Sequence, residues 1–245
     1  MLSHARRRLA RTAPPVLAAP FGPRFVLAGV ALEAEPDGAL WIEAAGALVI
    51  SDLHFEKGSS YAPRGQLIPP YDTRDTLRRL DAAIARRAPR LVISLGDGFH
   101  DLGGPTRMHE DDRAALQALV NRVDWVWIEG NHDPEISKTL GGRARAAFEI
   151  GALVLRHEPY TDDAEGEVAG HFHPCARIAG RGRCVRARCF AFDARRLIMP
   201  AFGAYTGGLN VRDAAFAPLF PDGLNVLAAA RGRIYPVAPS RLVCD

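Results

Sequence analysis

Short apolar runs that end on acidic, amide or imidazole side chains set the rhythm of this chain. Leu91-Val92-Ile93-Ser94-Leu95 runs into Gly96-Asp97, and Leu48-Val49-Ile50-Ser51 into Asp52-Leu53-His54. Trp125-Val126-Trp127-Ile128-Glu129 runs into Gly130-Asn131-His132-Asp133. Further on, Leu153-Val154-Leu155-Arg156 meets His157, and Glu167-Val168-Ala169-Gly170 meets His171-Phe172-His173. Runs of this length bounded by turn residues predict buried strands. In open α/β sheets, ligands bind at the carboxyl ends of such strands. The five runs are therefore expected to deliver their polar ends to one site.

Between them the pattern changes period. Phe25 to Leu32 alternates weakly and predicts a strand; Pro36-Asp37-Gly38 marks a turn, and Leu40 to Glu43 returns as the partner of a hairpin. Residues 47–51 form the next strand. The stretch from Phe55 to Pro70 is rich in Gly, Ser and Pro and predicts a long loop of the kind that serves function. Asp72 offers an N-cap with Asp75 three residues on, and Leu77, Leu80 and Ile84 follow at helical spacing. Gly98 to Arg107 predicts a second loop, and 110–123 a second amphipathic helix with Leu116, Leu119, Val120 and Val123 on one side. Strand, helix, strand, helix, strand implies a parallel unit with right-handed crossovers. After Gly141-Gly142 the periods shorten, with strands expected around Phe148 and at 152–156, 167–170, 183–192, 196–199 and 224–235. A second, antiparallel or mixed sheet is expected there. The region 213–245 carries no pattern beyond a strand or two.

Composition narrows this picture little. At 245 residues the chain is long enough for one sizeable core. Residues 24–245 read as a single domain, preceded by a basic, mobile arm at 1–23 that carries Arg6, Arg7, Arg8 and Arg11. The net charge of +3 is only mildly basic, but all basic residues except Lys57 and Lys138 are arginine, which suits bidentate phosphate contact. Cys175, Cys184, Cys189 and Cys244 form no Cys-x-x-Cys pair, which argues against a structural zinc knuckle and for free thiols in a reducing cytoplasm. No run approaches membrane-span length, and the first residues lack a signal-peptide core. A cytoplasmic protein with no membrane partner is expected.

The candidate chemistry lies in the strand ends. Of eight histidines, His54, His132, His157, His171 and His173 each follow an apolar run, and His100 lies three residues beyond Asp97. Together with Asp52, Asp97 and Asn131 they make a mixed nitrogen and oxygen donor set suited to transition metals, with no thiolate among them. The donors exceed what one ion needs. Two ions sharing a carboxylate would use Asp52, His54, Asp97, Asn131, His157, His171 and His173. Such a pair lowers the pKa of a shared water and neutralises phosphoryl oxygens, and a nearby imidazole such as His132 can protonate a leaving alkoxide. Taken singly, Asp-x-His is common and Gly-Asn-His-Asp also makes ordinary turns. The joint occurrence carries the weight.

These residues resemble the calcineurin-like metallophosphoesterase pattern over positions 48 to 174. The resemblance implies an α/β fold, a four-layer α/β/β/α sandwich of two mixed sheets. It implies that Asp52, His54, Asp97 and His173 hold a first metal, that Asp97, Asn131, His157 and His171 hold a second, and that His132 contacts the phosphate or leaving group. Many family members carry an aspartate three residues after the bridging one to orient that histidine. Here the position is His100, which leaves Asp101 or Asp133 as the partner of His132. The stretches Phe55-Glu56-Lys57-Gly58-Ser59-Ser60, Pro69-Pro70-Tyr71-Asp72 and 200–208 are similar to the bacterial ligase-associated DNA-damage-response phosphoesterase subgroup. That similarity implies a manganese-type nuclease (iron or zinc being tolerated by the same ligands) and an association with an ATP-dependent DNA ligase, a helicase and an exonuclease-like protein.

A DNA substrate would be met by Lys57, Arg64 and Tyr71 at the loop beside the site. Arg177, Arg181, Arg183, Arg186, Arg188, Arg195 and Arg196 after the last motif would make a basic strip tracking a phosphodiester backbone. An edge strand kept soluble by charge accounts for the strip equally well. Tyr71 and Tyr205 are positioned to stack bases or to pack the rim. Two other functions compete with DNA cleavage: hydrolysis of a small phosphorylated metabolite or nucleotide, and a scaffold whose site is dead. The full ligand set argues against the last.

Overall fold

The buried runs stack into two sheets, and alternation along each strand divides the apolar side chains between two cores. A computed structural model of the chain describes residues 17–19, 22–62, 65–66, 68–131, 140–161, 164–180 and 182–245. The first sheet places eight strands side by side in chain order: β1 (Leu17–Ala19), β2 (Gly22–Leu27), β3 (Val30–Ala34), β4 (Leu40–Ile42), β5 (Ala47–Ser51), β6 (Leu91–Leu95), β7 (Asp124–Ile128) and β8 (Arg143–Arg145). Pairing is antiparallel from β1 to β5 and parallel from β5 to β8. The parallel half follows from its crossovers. α2 (Asp72–Arg87) joins β5 to β6, and α4 (Glu110–Arg122) joins β6 to β7. Their stripes, Leu77, Leu80 and Ile84 and then Leu116, Leu119 and Val120, pack on Leu48, Ile50, Val92, Trp125 and Trp127. The alternate residues Val49, Ile93, Leu95 and Val126 face the other way.

There they meet the second sheet. It comprises β9 (Ala147–Ile150), β10 (Leu153–Arg156), β11 (Glu167–Ala169), β12 (Pro174–Gly180), β13 (Arg183–Phe192), β14 (Arg196–Ile198), β15 (Leu209–Asn210), β16 (Asn225–Ala230) and β17 (Arg233–Val237). It is mixed: β10, β11 and β14 are parallel, while β13 is antiparallel to β12, β14 and β16. Leu153, Leu155, Phe190, Phe192 and Leu197 fill the space between the sheets. On the outer face, Ala169, Ala176, Cys189 and Ile198 are covered by Phe216, Leu219 and Phe220. The fourth layer of the sandwich is thus thin, and a short 3-10 turn at Ala214–Phe216 takes the place of a long helix.

Several expectations need correction. The strand expected from Phe25 to Leu32 is two strands, because the chain reverses at Ala28-Gly29 with φ of 48° and 80° and pairs Leu27 with Val30. A two-residue turn of this hand needs positive φ at both positions; alanine seldom supplies one, so the signal is weak. The loop after Phe55 contains α1 (Lys57–Tyr61), and the second loop contains α3 (Gly104–Arg107). Asp72 is not a cap. It is the first helical residue, with Tyr71 at the cap position, and its carboxylate accepts from the Gly58 N–H at 2.9 Å. Within the stretch expected as a basic arm, Leu17–Ala19 pairs with 22–24 along the edge of β2. Residues 1–16 lie outside the described residues. No helix among the described residues is long and apolar enough to cross a membrane.

Candidate metal centre

The carboxyl ends of β5, β6 and β7 and of β10 and β11 converge on one edge of the sandwich. Backbone bonds lock the first loops in register beyond the strands. His54 N–H donates to the Asp97 carbonyl at 2.9 Å, Phe55 N–H to that of Gly98 at 2.8 Å, and His100 N–H to that of Phe55 at 3.0 Å. The segment after β14 stitches the sheets together, with Phe202 N–H on the Ser51 carbonyl at 2.7 Å and Gly203 N–H on that of Asp52 at 3.2 Å.

Six side chains gather into two groups, Asp52 with His54 and His173, and Asp97 with His157 and His171. In each group the ligand-type atoms lie within 4.8 Å of one another. His54 Nε2 and His173 Nε2 face each other at 3.2 Å, and His173 Nε2 lies 3.2 Å from Asp52 Oδ1. In the second group His157 Nε2 faces His171 Nδ1 at 3.3 Å and Asp97 Oδ1 at 3.4 Å. Asp97 Oδ2 is turned to His54 Nε2 of the first group, at 3.9 Å. One carboxylate therefore offers an oxygen to each cluster. Asn131 joins through its backbone, whose N–H donates to Asp97 Oδ1 at 3.1 Å.

The backbone is bent to make this possible. Asp52, His54, Asp97, His171 and His173 all have φ between 43° and 68°. Left-handed conformation at a non-glycine residue costs about 1–3 kcal/mol and persists where the surroundings over-determine it. Close approach also demands glycine: a Cβ on Gly130 would lie 2.2 Å from Asp97 N, and one on Gly170 2.0 Å from Ser51 Oγ.

Electrostatics prepare the donors. Burial drives the His54 pKa down to about 3, so its ring is neutral. Burial likewise lowers His171. Burial pushes Asp52 upward, but the hydrogen bond from His173 and the imidazoles around it more than offset this and hold its pKa below the usual carboxylate value. Ser51 Oγ and the His171 N–H both donate to that carboxylate, the latter at 3.1 and 3.3 Å. Leu95 O lies 3.0 Å from His157 Nδ1, which makes Nδ1 the protonated nitrogen and leaves Nε2 to a cation. Imidazoles and carboxylates in two adjoining groups fit a pair of borderline divalent cations.

The remaining expected site residues fare unevenly. Lys57 is half-buried, its own pKa lowered by burial, and its charge reaches His54. Tyr71 is well exposed at the start of α2. Tyr205 lies on the same flank, since its neighbour Ala204 bonds through N–H to Thr76 Oγ1 at 3.0 Å. Asp101 accepts from Gly103 N–H and from Arg107, both at 2.9 Å, so its carboxylate serves the α3 turn. Arg64, His132 and Asp133 lie outside the described residues. Of the arginine strip, Arg188 points inward and donates to the carbonyls of Phe202, Gly203 and Ala204; burial lowers its pKa to about 10. Arg196 is buried on Glu167. Arg181 lies outside the described residues; among the described ones, Arg177, Arg183 and Arg186 remain on the β12/β13 hairpin as partly or fully accessible cations. Sequence reasoning missed Tyr61, stacked on His100 with ring centroids 5.9 Å apart, and the edge contact of His100 with His54 at 5.6 Å.

Residues 47–194 match the family model for calcineurin-like phosphoesterases, and the chain belongs to that family. Among solved structures, the chain is similar to the Pseudomonas putida nuclease MPE, at 28% identity and a TM-score of 0.66, covering 87% of this chain and 98% of that one. This likeness supports the narrower resemblance to the nuclease-like subgroup. A phosphoesterase from E. coli, Yfce, is more remote, at 18% identity and a TM-score of 0.40, covering 78% of this chain and 98% of that one. No curated protein matches the sequence.

Proposed function

We propose that the chain is a dinuclear phosphodiesterase that cleaves DNA, as an endonuclease or end-processing nuclease in DNA repair. The observation that carries the dinuclear reading is Asp97, whose two oxygens face different histidine clusters. Asp52, His54 and His173 would hold one cation, His157, His171 and Asn131 the other, with Asp97 common to both. When bound, such a pair supplies Lewis acidity toward the phosphoryl oxygens and a water of lowered pKa. The protein holds His54 neutral, fixes the His157 tautomer and keeps Asp52 charged. His132 follows Asn131 directly in sequence and is assigned the proton donor to the leaving oxygen. Lys57, Arg64 and Tyr71 are assigned to the substrate. Manganese is the first choice of metal, with iron or zinc also suited.

DNA as substrate is supported by the likeness to a nuclease over most of both chains and by arginines on a hairpin leading away from the site. A cytoplasmic location agrees with four free cysteines. Association with an ATP-dependent DNA ligase, a helicase and an exonuclease-like protein belongs to the same proposal. The test is a substrate panel with Mn²⁺: bis-p-nitrophenyl phosphate, p-nitrophenyl phosphate and single-stranded DNA. Turnover of the diester and of DNA, abolished in Asp97→Asn, is expected. Turnover of the monoester alone would move the assignment to a small phosphorylated metabolite.

A further inference from the structure

A histidine that binds a metal through one ring nitrogen ordinarily donates the other N–H to a carboxylate, a carbonyl or water, and that partner fixes tautomer and orientation. In the second cluster His157 has such a partner in Leu95 O. His171 is turned the opposite way. Its Nδ1 faces into the cluster, toward His157 Nε2, so its Nε2 faces out. The group it meets there is the Glu158 carboxylate, with Oε1 4.0 Å from Nε2.

Glu158 sits on a segment fastened at both ends. On one side, the Gly170 N–H donates to the His157 carbonyl at 2.9 Å. On the other, Tyr160 N–H donates to Glu167 Oε1 at 2.9 Å, and the Arg196 guanidinium donates to the Tyr160 carbonyl at 2.6 Å. Glu167 and Arg196 are both buried. Pro159 further restricts Glu158 to extended conformations. The backbone thus aims this side chain while its carboxylate keeps enough freedom to close the remaining gap.

We propose that Glu158 is a positioning residue for His171. It holds the proton on Nε2, turns Nδ1 inward and thereby sets the affinity of the second cation site. The inference rests on the two-metal reading above. Water competes for the same N–H, because the side chains of Glu158 and His171 are 62% and 32% exposed. The effect therefore belongs at the low end of what loss of such outer partners costs, about tenfold in metal affinity.

The test titrates metal-free full-length protein with Mn²⁺ by calorimetry, comparing wild type, Glu158→Ala and Glu158→Gln. The expected result is two sites in wild type, about tenfold weakening of one in Glu158→Ala, and near-wild-type affinity in Glu158→Gln, which keeps an acceptor. The melting temperature of the metal-free protein should be the same in all three, which separates positioning from a general loss of fold. Equal affinities in wild type and Glu158→Ala, or equal weakening at both sites, would overturn the proposal. Uptake of a single ion by wild type would overturn the two-metal reading itself, and the proposal with it.

Discussion

Five candidate ligand residues in left-handed backbone conformation work against the stability of the fold, and the same strain aims their side chains at one another. Glycine neighbours make room for the crowding. Gly130→Ala would drive a methyl onto Asp97 N and to 2.7 Å from Oδ1, displacing the carboxylate that faces both clusters. Phosphodiester turnover should fall by at least about a hundredfold, since a 1 Å misplacement has that cost, while circular dichroism stays near wild type. Burial of His54 has a separate consequence for the metal-free protein. Its folded pKa of about 3 lies below the unfolded value near 6.5, so the unfolded chain binds the extra proton in between. Stability is therefore full above pH 6.5 and lost as pH falls toward 3, by about 2 kcal/mol between pH 7 and 5 from this one group. Thermal melts of metal-free protein at the two pH values check it; a melt insensitive to pH would contradict the burial of His54. At this scale the side chains that gather in the two clusters were legible because each is a polar residue released by an apolar run. Leu95 O, Ser51 and Glu158 were not, since a carbonyl, a common hydroxyl and an exposed carboxylate carry no pattern of their own.

Among the elements, the arginines show where reading one strand at a time stops. Arg186 and Arg188 share a face of β13, as alternation requires, yet Arg188 is turned onto three carbonyls of the 202–204 segment while Arg186 reaches the Gly208 carbonyl and Asp245 at the surface. What separates them is which segment crosses above each, and that is set by chain far away in sequence. Arg196 and Glu167 pair because β11 and β14 lie side by side in parallel. Removing one partner leaves a buried charge, so Arg196→Ala should lose about 3–5 kcal/mol in denaturant melts. The two charges need each other, and the double replacement Arg196→Met with Glu167→Leu should recover much of that loss. The outer hairpin behaves differently. Charge reversal at Arg177 and Arg183 should leave bis-p-nitrophenyl phosphate turnover intact, weaken DNA binding and flatten its dependence on salt. Unchanged DNA affinity would make the hairpin an ordinary solvated edge. The strands β5, β6 and β7 of the first sheet were legible from their strand–helix rhythm, while β8 was not. β12 and β15 were not, because each gains its identity from neighbours and not from a period.

For the molecule as a whole, the candidate metal centre is the seam between the two sheets. Asp52, His54 and Asp97 come from the loops after β5 and β6, and His157, His171 and His173 from those after β10 and β11. Each cluster draws on both sheets, so a cation binds only when the sheets are correctly stacked and resists their separation. A ligand that binds the folded state alone stabilises it by about 2.7 kcal/mol at a hundredfold excess over its Kd. Two ions then contribute about 5 kcal/mol. A chain of this size shifts its Tm by about 2–4 °C per kcal/mol, so saturation with Mn²⁺ should raise Tm by about 10–20 °C over protein treated with EDTA. Asp97→Asn should lose most of that rise, because its carboxylate faces both clusters, whereas Asp52→Asn should retain the share owed to the second. Hydrogen exchange should slow on metal binding in the loops of both sheets together. Protection confined to one sheet, or equal Tm with and without metal, would show that the clusters do not bridge the sandwich. The melt therefore tests the architecture and the site in one measurement, independently of which phosphodiester the protein cleaves.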